Sequence, residues 1–109
     1  MPNRIEKINA LVQHNLGEII PRELSLKSGV FITIAKVDTT PDLRYTRVFV
    51  SIFPEKETAY ALKALTNGIY ALQGALNKTL NMKPLPRIEF KVDITESKAD
   101  VVEKLLKQI

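Results

Sequence analysis

An apolar stripe in this chain runs straight through a place that ought to end it. Leu62, Leu65, Ile69, Leu72 and Leu76 recur at steps of three and four residues, the period of one helix face. Asn67-Gly68, a dipeptide that ordinarily marks a turn, stands in the middle of that run. Glycine inside a helix costs ~1 kcal/mol relative to alanine, and asparagine is a weak helix former. A break that nevertheless preserves the stripe is a kink: both half-helices face one core while the backbone bends. The segment from about Glu57 to Leu80 is therefore read as helix, kink, helix.

Two roles for Gly68 fit that reading. In the first, asparagine and glycine hold unusual dihedrals and let another backbone come close. The second half-helix then offers free N–H groups and a positive dipole end to a phosphate, with Lys63 and Lys78 within a few turns. In the second, the glycine merely permits close packing against a sheet.

The rest of the chain supplies that sheet. An opening helix runs from about Asn3 to Ile20, with Ile5, Ile8, Val12, Leu16 and Ile19 on one face. Pro21 ends it, because its ring biases the preceding residue away from helix, and Arg22 to Gly29 reads as a loop. VFITIAKV (30–37) is short and dense in β-branched residues, hence a strand; TTPDL (39–43) is a turn. TRVFVSIF (46–53) is a second strand, with Val48, Val50 and Ile52 on one face and Arg47, Phe49, Ser51 and Phe53 on the other. Pro84 and Pro86 punctuate the exit from the helices. RIEFKVD (87–93) alternates, Ile88, Phe90 and Val92 inward against Arg87, Glu89 and Lys91 outward. Val101, Val102, Leu105 and Leu106 predict a short closing helix between Ser97 and Ile109. The expected architecture is α+β, one domain over residues 1–109, with helices on one face of a three-stranded sheet in the order α-β-β-α-(kink)-α-β-α.

Composition narrows the function. No apolar run reaches the ~20 residues that span a bilayer, and no signal-peptide core follows the N-terminus. Without cysteine, disulfide and thiol chemistry are excluded and a cytoplasmic location is expected. The lone histidine, His14, lies mid-helix among polar neighbours; the carboxylates are scattered, and no metal-ligand spacing or glycine-rich phosphate loop appears. A non-enzymatic binding protein without cofactor or metal is expected. The net charge of +4 is unevenly spread: residues 61–91 carry Lys63, Lys78, Lys83, Arg87 and Lys91 against Glu89 alone. A surplus gathered in one place suggests a polyanionic partner, although a solvated basic helix accounts for it equally.

The element order with a break between adjacent helices is similar to the type II KH arrangement, in which a glycine loop between two helices clamps the RNA backbone. More specifically the chain resembles the ribosome-binding factor A family. That family has a helix–kink–helix centred on Ala-x-Gly, matched here by Thr66-Asn67-Gly68. The strongest local match is VDTTPDLRYTRVFVS (37–51), with FITIAKV, LPRIEFKVD, VVEKLL and the opening RIEKINALVQHNLGEII in family order. Departures are Thr66 for alanine, Ala71 and Asn81 where the family usually has basic residues, and Arg87 where an acidic residue is common.

The resemblance implies a KH-like type II fold, binding to the free 30S subunit and its 16S rRNA, and promotion of late rRNA maturation by a monomer without membrane attachment. The RNA contacts it implies are Lys63, Thr66, Asn67, Gly68 and Lys78 at the kink and Arg44 and Arg47 at the turn and second strand. Lys83, Arg87 and Lys91 extend the basic surface. For any one of these lysines a merely solvated side chain is the plain alternative. Tyr45, Tyr60 and Tyr70 are candidates for base stacking, with half-buried packing the expected role. Two competing functions are a general single-stranded RNA binder, poorly supported by an aromatic content of 6%, and a protein-interaction module using Phe49 or Phe53 on the exposed sheet face.

Overall fold

The computed structural model describes residues 3–80 and 86–93. Helix α1 spans Arg4–Glu23, strands β1 and β2 span Phe31–Thr39 and Tyr45–Phe53, and a 3-10 turn at Glu55–Glu57 leads into α2, Thr58–Asn67. Helix α3, Ile69–Thr79, and strand β3, Arg87–Val92, complete the described order. The closing helix expected between Ser97 and Ile109 lies outside the described residues, as do Asn81 and Lys83.

A capping box starts α1. The Asn3 side chain accepts from the Glu6 N–H at 2.8 Å, and the Glu6 carboxylate accepts from the Asn3 N–H at 3.2 Å. The helix does not stop at Ile20. It passes through Pro21 to Glu23, where the Leu24 N–H closes on the Ile20 carbonyl at 2.9 Å. A proline inside a helix costs about 3 kcal/mol. Ile19 and Ile20 are 2% and 4% exposed, and each fully buried isoleucine contributes about 1.5–3 kcal/mol. Packing therefore outweighs the proline, and the carbonyl its missing N–H leaves open, on Gly17, sits at an exposed position.

The sheet has the order β1-β2-β3. The first pair is antiparallel, whereas β3 joins β2 in parallel through the α2–α3 crossover. Ala35 is an extra residue in β1, a bulge between Ile34 and Lys36. It flips the alternation, so Ile32 and Ile34 face inward before it and Val37 and Thr39 after it. All three helices cover one face, where Ile8, Val12, Leu16, Leu65, Leu72 and Leu76 meet Val48, Val50 and Ile88.

Two polar devices tie the layers together. Thr39 donates to the Asn9 side chain at 2.6 Å, so the hydroxyl–hydroxyl contact with Thr46 at 3.0 Å is donated by Thr46. Gln73 on α3 accepts from the Ile88 N–H at 2.8 Å and donates to the Pro86 carbonyl at 3.0 Å, imitating a strand partner at the start of β3. No buried side-chain polar atom among the described residues lacks a partner.

Candidate nucleic-acid interface

The break at Gly68 is shallower than the sequence implies. Its dihedrals, φ −94° and ψ 7°, lie in the bridge region that any L-residue can enter, not in the left-handed region. Its N–H still donates to the Ala64 carbonyl at 3.0 Å, and its carbonyl accepts from the Leu72 N–H at 3.0 Å. Gly68 thus bonds to both half-helices, and its own N–H is not open to a phosphate.

What crowds the glycine is a side chain. A β-carbon built at position 68 would lie 2.5 Å from Leu24 Cδ2 and 3.3 Å from the Ala64 carbonyl oxygen. This corrects the expected dihedral and the expected packing partner of Gly68. The glycine needs no special dihedral, and it packs against the residue that follows α1, not against a second backbone or the sheet.

Helical spacing brings the exposed residues on both sides of Gly68 into line. Lys63, Asn67 and Ala71 form one row at steps of four, and Thr66, Tyr70, Gly74 and Lys78 form the adjacent row; all are exposed. Lys63 on α2 and Lys78 on α3 mark the ends, about 22 Å apart at the rise of an ideal helix. Neither lysine makes an ion pair among the described residues. The middle of the stripe, Thr66, Asn67, Tyr70, Ala71 and Gly74, carries no charge.

The sequence-implied contacts do not form one surface. Lys63, Thr66, Asn67 and Lys78 lie on this outer helical stripe. Arg47, Arg87 and Lys91 project from the sheet face that the described helices leave open, and Arg47 stands in register between Asp38 and Glu89. Arg44 lies in the turn beside them, its carbonyl accepting from the Arg87 N–H at 2.8 Å and its guanidinium 3.8 Å from Asp42. That turn is closed by Asp42, which accepts from the Thr40 hydroxyl at 2.6 Å and the Arg44 N–H at 3.1 Å. The Thr40 hydroxyl, then the Arg44 N–H and charge, hold the Asp42 carboxyl below its ordinary range.

Half-buried packing was the expected role of the tyrosines, and Tyr60 meets it whereas Tyr70 does not. Tyr60 is half-buried and packs, its hydroxyl accepting from the Lys27 N–H at 3.0 Å. Tyr70 is 89% exposed. A cleft of about 390 Å³ opens beside it, lined by Tyr70, Gly74 and Lys78 of α3 and by Arg22 and Glu23 of α1. Arg22 and Glu23 were expected in a loop; the continuation of α1 past Pro21 is what brings them to this cleft. Tyr70 at four residues from both Thr66 and Gly74 was the available signal. On the open sheet face, Phe31 and Phe53 oppose each other in register and are 63% and 68% exposed. Phe49 is half-buried, with the Lys36 ammonium 4.8 Å from its ring centroid.

A mixed three-stranded sheet with helices on one face, two of them abutting at a glycine, defines an α+β protein of KH-like fold. The model of one family, ribosome-binding factor A, matches residues 4–106. This chain belongs to that family. It is 35% identical over 107 residues to ribosome-binding factor A of Natranaerobius thermophilus, covering 97% of this chain and 82% of that protein. The crystal structure of ribosome-binding factor A from Thermus thermophilus superposes with a TM-score of 0.69 at 28% identity, over 81% of this chain and 93% of that one. A second Thermus thermophilus structure, a homology model fitted into a cryo-EM map of a complex with 30S, gives a TM-score of 0.66 at 30% identity, over 78% and 90%.

Proposed function

We propose that this protein binds the free small ribosomal subunit, contacts its 16S rRNA through the α2–α3 stripe, and promotes late maturation of that RNA. It acts by differential binding, favouring one RNA conformation over another, and not by covalent chemistry. Residues 1–109 work as one domain and one copy in the cytoplasm. The observation that carries the reading is the exposed line from Lys63 through Thr66, Asn67, Tyr70 and Gly74 to Lys78. It is an uncharged track with a cation at each end, suited to a polyanion running along it. The relative fitted into a 30S complex supports the choice of partner.

Arg44, Arg47 and Arg87 form a second, separate contact, weakened at Arg47 by its carboxylate neighbours in register. Gly68 enters the reading as the residue that seats α1 against the kink.

Co-sedimentation with purified 30S subunits tests this reading. The protein should run with 30S, and its affinity should fall steeply as salt rises. Reversing Lys63 and Lys78 together should weaken association and lower the log–log salt slope by about 1 to 2. An unchanged slope would remove the stripe from the interface. The exposed Phe31–Phe53 pair favours one second reading, contact with a protein partner through the open sheet face. Loss of 30S association in Phe53→Ser, with RNA affinity intact, would favour it.

A further inference from the structure

Helical glycines are usually explained by packing, and Gly68 is. Gly74 is not. A β-carbon there would meet nothing within 4 Å, so nothing in the described chain requires the glycine. It nevertheless lies inside α3, where glycine costs ~1 kcal/mol relative to alanine. The open space at Gly74 is the floor of the cleft described above. One wall is Tyr70, whose ring is bare; the far end is Lys78, eight residues and about 12 Å along the helix. The opposite wall is the last turn of α1, with Arg22 and Glu23. Asn15 donates to the Thr79 hydroxyl at 3.0 Å, and Thr79 donates to the Leu76 carbonyl at 2.7 Å, so the two walls are pinned together.

The chemistry of these walls is specific. An exposed tyrosine is a stacking platform for an unpaired base. Lys78, without a partner among the described residues, suits a phosphate. Glu23, 3.6 Å from the Arg22 guanidinium, would repel a phosphate but accept a hydrogen bond from the exocyclic amine of a base. A purely anionic ligand therefore fits only one end of the cleft, whereas a nucleotide fits both. Resting on the RNA-binding reading above, we propose that this cleft takes one unpaired nucleotide of single-stranded RNA. Its base stacks on Tyr70 over Gly74, its amine faces Glu23, and its phosphate meets Lys78.

The test compares two glycines. Gly17, in α1, is also exposed with nothing within 4 Å of its β-carbon position, and it does not line the cleft. Gly74→Gln and Gly17→Gln make the same change of helix propensity with no change of charge. The probes are short oligoadenylate and oligouridylate in solution and purified 30S subunits in co-sedimentation, with variants scored on whichever the unmodified protein binds. Melting temperatures are recorded for every variant.

Gly74→Gln and Tyr70→Ala should each weaken binding about tenfold, with Gly74→Gln at least as thermally stable as the unmodified protein. Gly17→Gln should bind within about twofold of the unmodified protein, since Gly17 does not line the cleft. Oligoadenylate, which has the exocyclic amine, should bind more tightly than oligouridylate, and Glu23→Gln should narrow the difference. Full binding by Gly74→Gln or Tyr70→Ala, or equal loss from Gly17→Gln, overturns the cleft while leaving the RNA-binding reading standing. Failure of the unmodified protein to bind any of the three probes sinks both.

Discussion

Leu24 occupies the space that a side chain at Gly68 would need, its Cδ2 only 2.5 Å from where a β-carbon would sit. The residue that ends α1 and the glycine that interrupts α2–α3 therefore set each other's position. The end of α1 is one wall of the Tyr70 cleft, so this single contact links the kink to the geometry of the proposed RNA site.

Gly68→Ala should reveal that contact by defeating its own propensity. Alanine in a helix is favoured over glycine by ~1 kcal/mol, but overpacking typically costs 1–3 kcal/mol. Because the near atom is the tip of a half-buried leucine, the lower half of that range applies, about 1–2 kcal/mol, so the propensity gain is cancelled and a net loss of up to about 1 kcal/mol is expected. In a Leu24→Ala background the same change should stabilise by about 1 kcal/mol. Urea titration of the four proteins in the cycle measures the coupling; simple additivity would show that Leu24 does not restrict position 68.

The threonine chain makes an asymmetric prediction. Thr46→Val removes a donor and leaves Thr39 still bonded to Asn9, a loss of about 1 kcal/mol. Thr39→Val orphans both the Asn9 acceptor and the fully buried Thr46 hydroxyl, for about 2–3 kcal/mol. Equal losses by denaturant titration would contradict the direction of donation assigned here.

Gln73 should act locally. Gln73→Leu keeps a similar volume but strands the Ile88 N–H and the Pro86 carbonyl at the start of β3. A destabilisation of about 1–3 kcal/mol is expected. Hydrogen exchange at Ile88 should accelerate more than at Phe90 or within α1. A uniform change across the chain would mean that the clamp is not a separate element.

Asp42 carries a pH dependence whose sign is set by its hydrogen bonds. Its carboxyl is held below the ordinary range by the Thr40 hydroxyl first and by Arg44 second. A depressed folded-state pKa means stability that is present above the unfolded-state value and lost as pH falls through the folded one. Acid titration of stability should therefore show a shallower acid limb in Asp42→Asn than in the unmodified protein, the two curves converging at the lowest pH. An identical acid limb would show that the turn does not depend on ionised Asp42.

The elements were legible wherever the information is local. The three-and-four spacing of Ile8, Val12, Leu16 and Ile19, and the alternation of Val48, Val50 and Ile52, report directly which side chains leave water. So does the stripe through Asn67-Gly68, and the interruption there is real: α2 ends at Asn67 and α3 begins at Ile69. Tertiary contacts decided the rest. Pro21 was read as a stop because its clash is local, yet burial of Ile19 and Ile20 carries the helix past it. The Ala35 bulge shows in the sequence only as the odd interval from Ile34 to Val37, and only pairing with β2 determines which residue is extra. Gly68 and Gly74 are the same residue in similar helical surroundings. Their difference, one filled by Leu24 and one open on a cleft, depends on atoms forty or more positions away in the chain. Periodicity records the averaged demand that a face be buried, whereas a close approach or an empty space is set by where one distant side chain comes to rest.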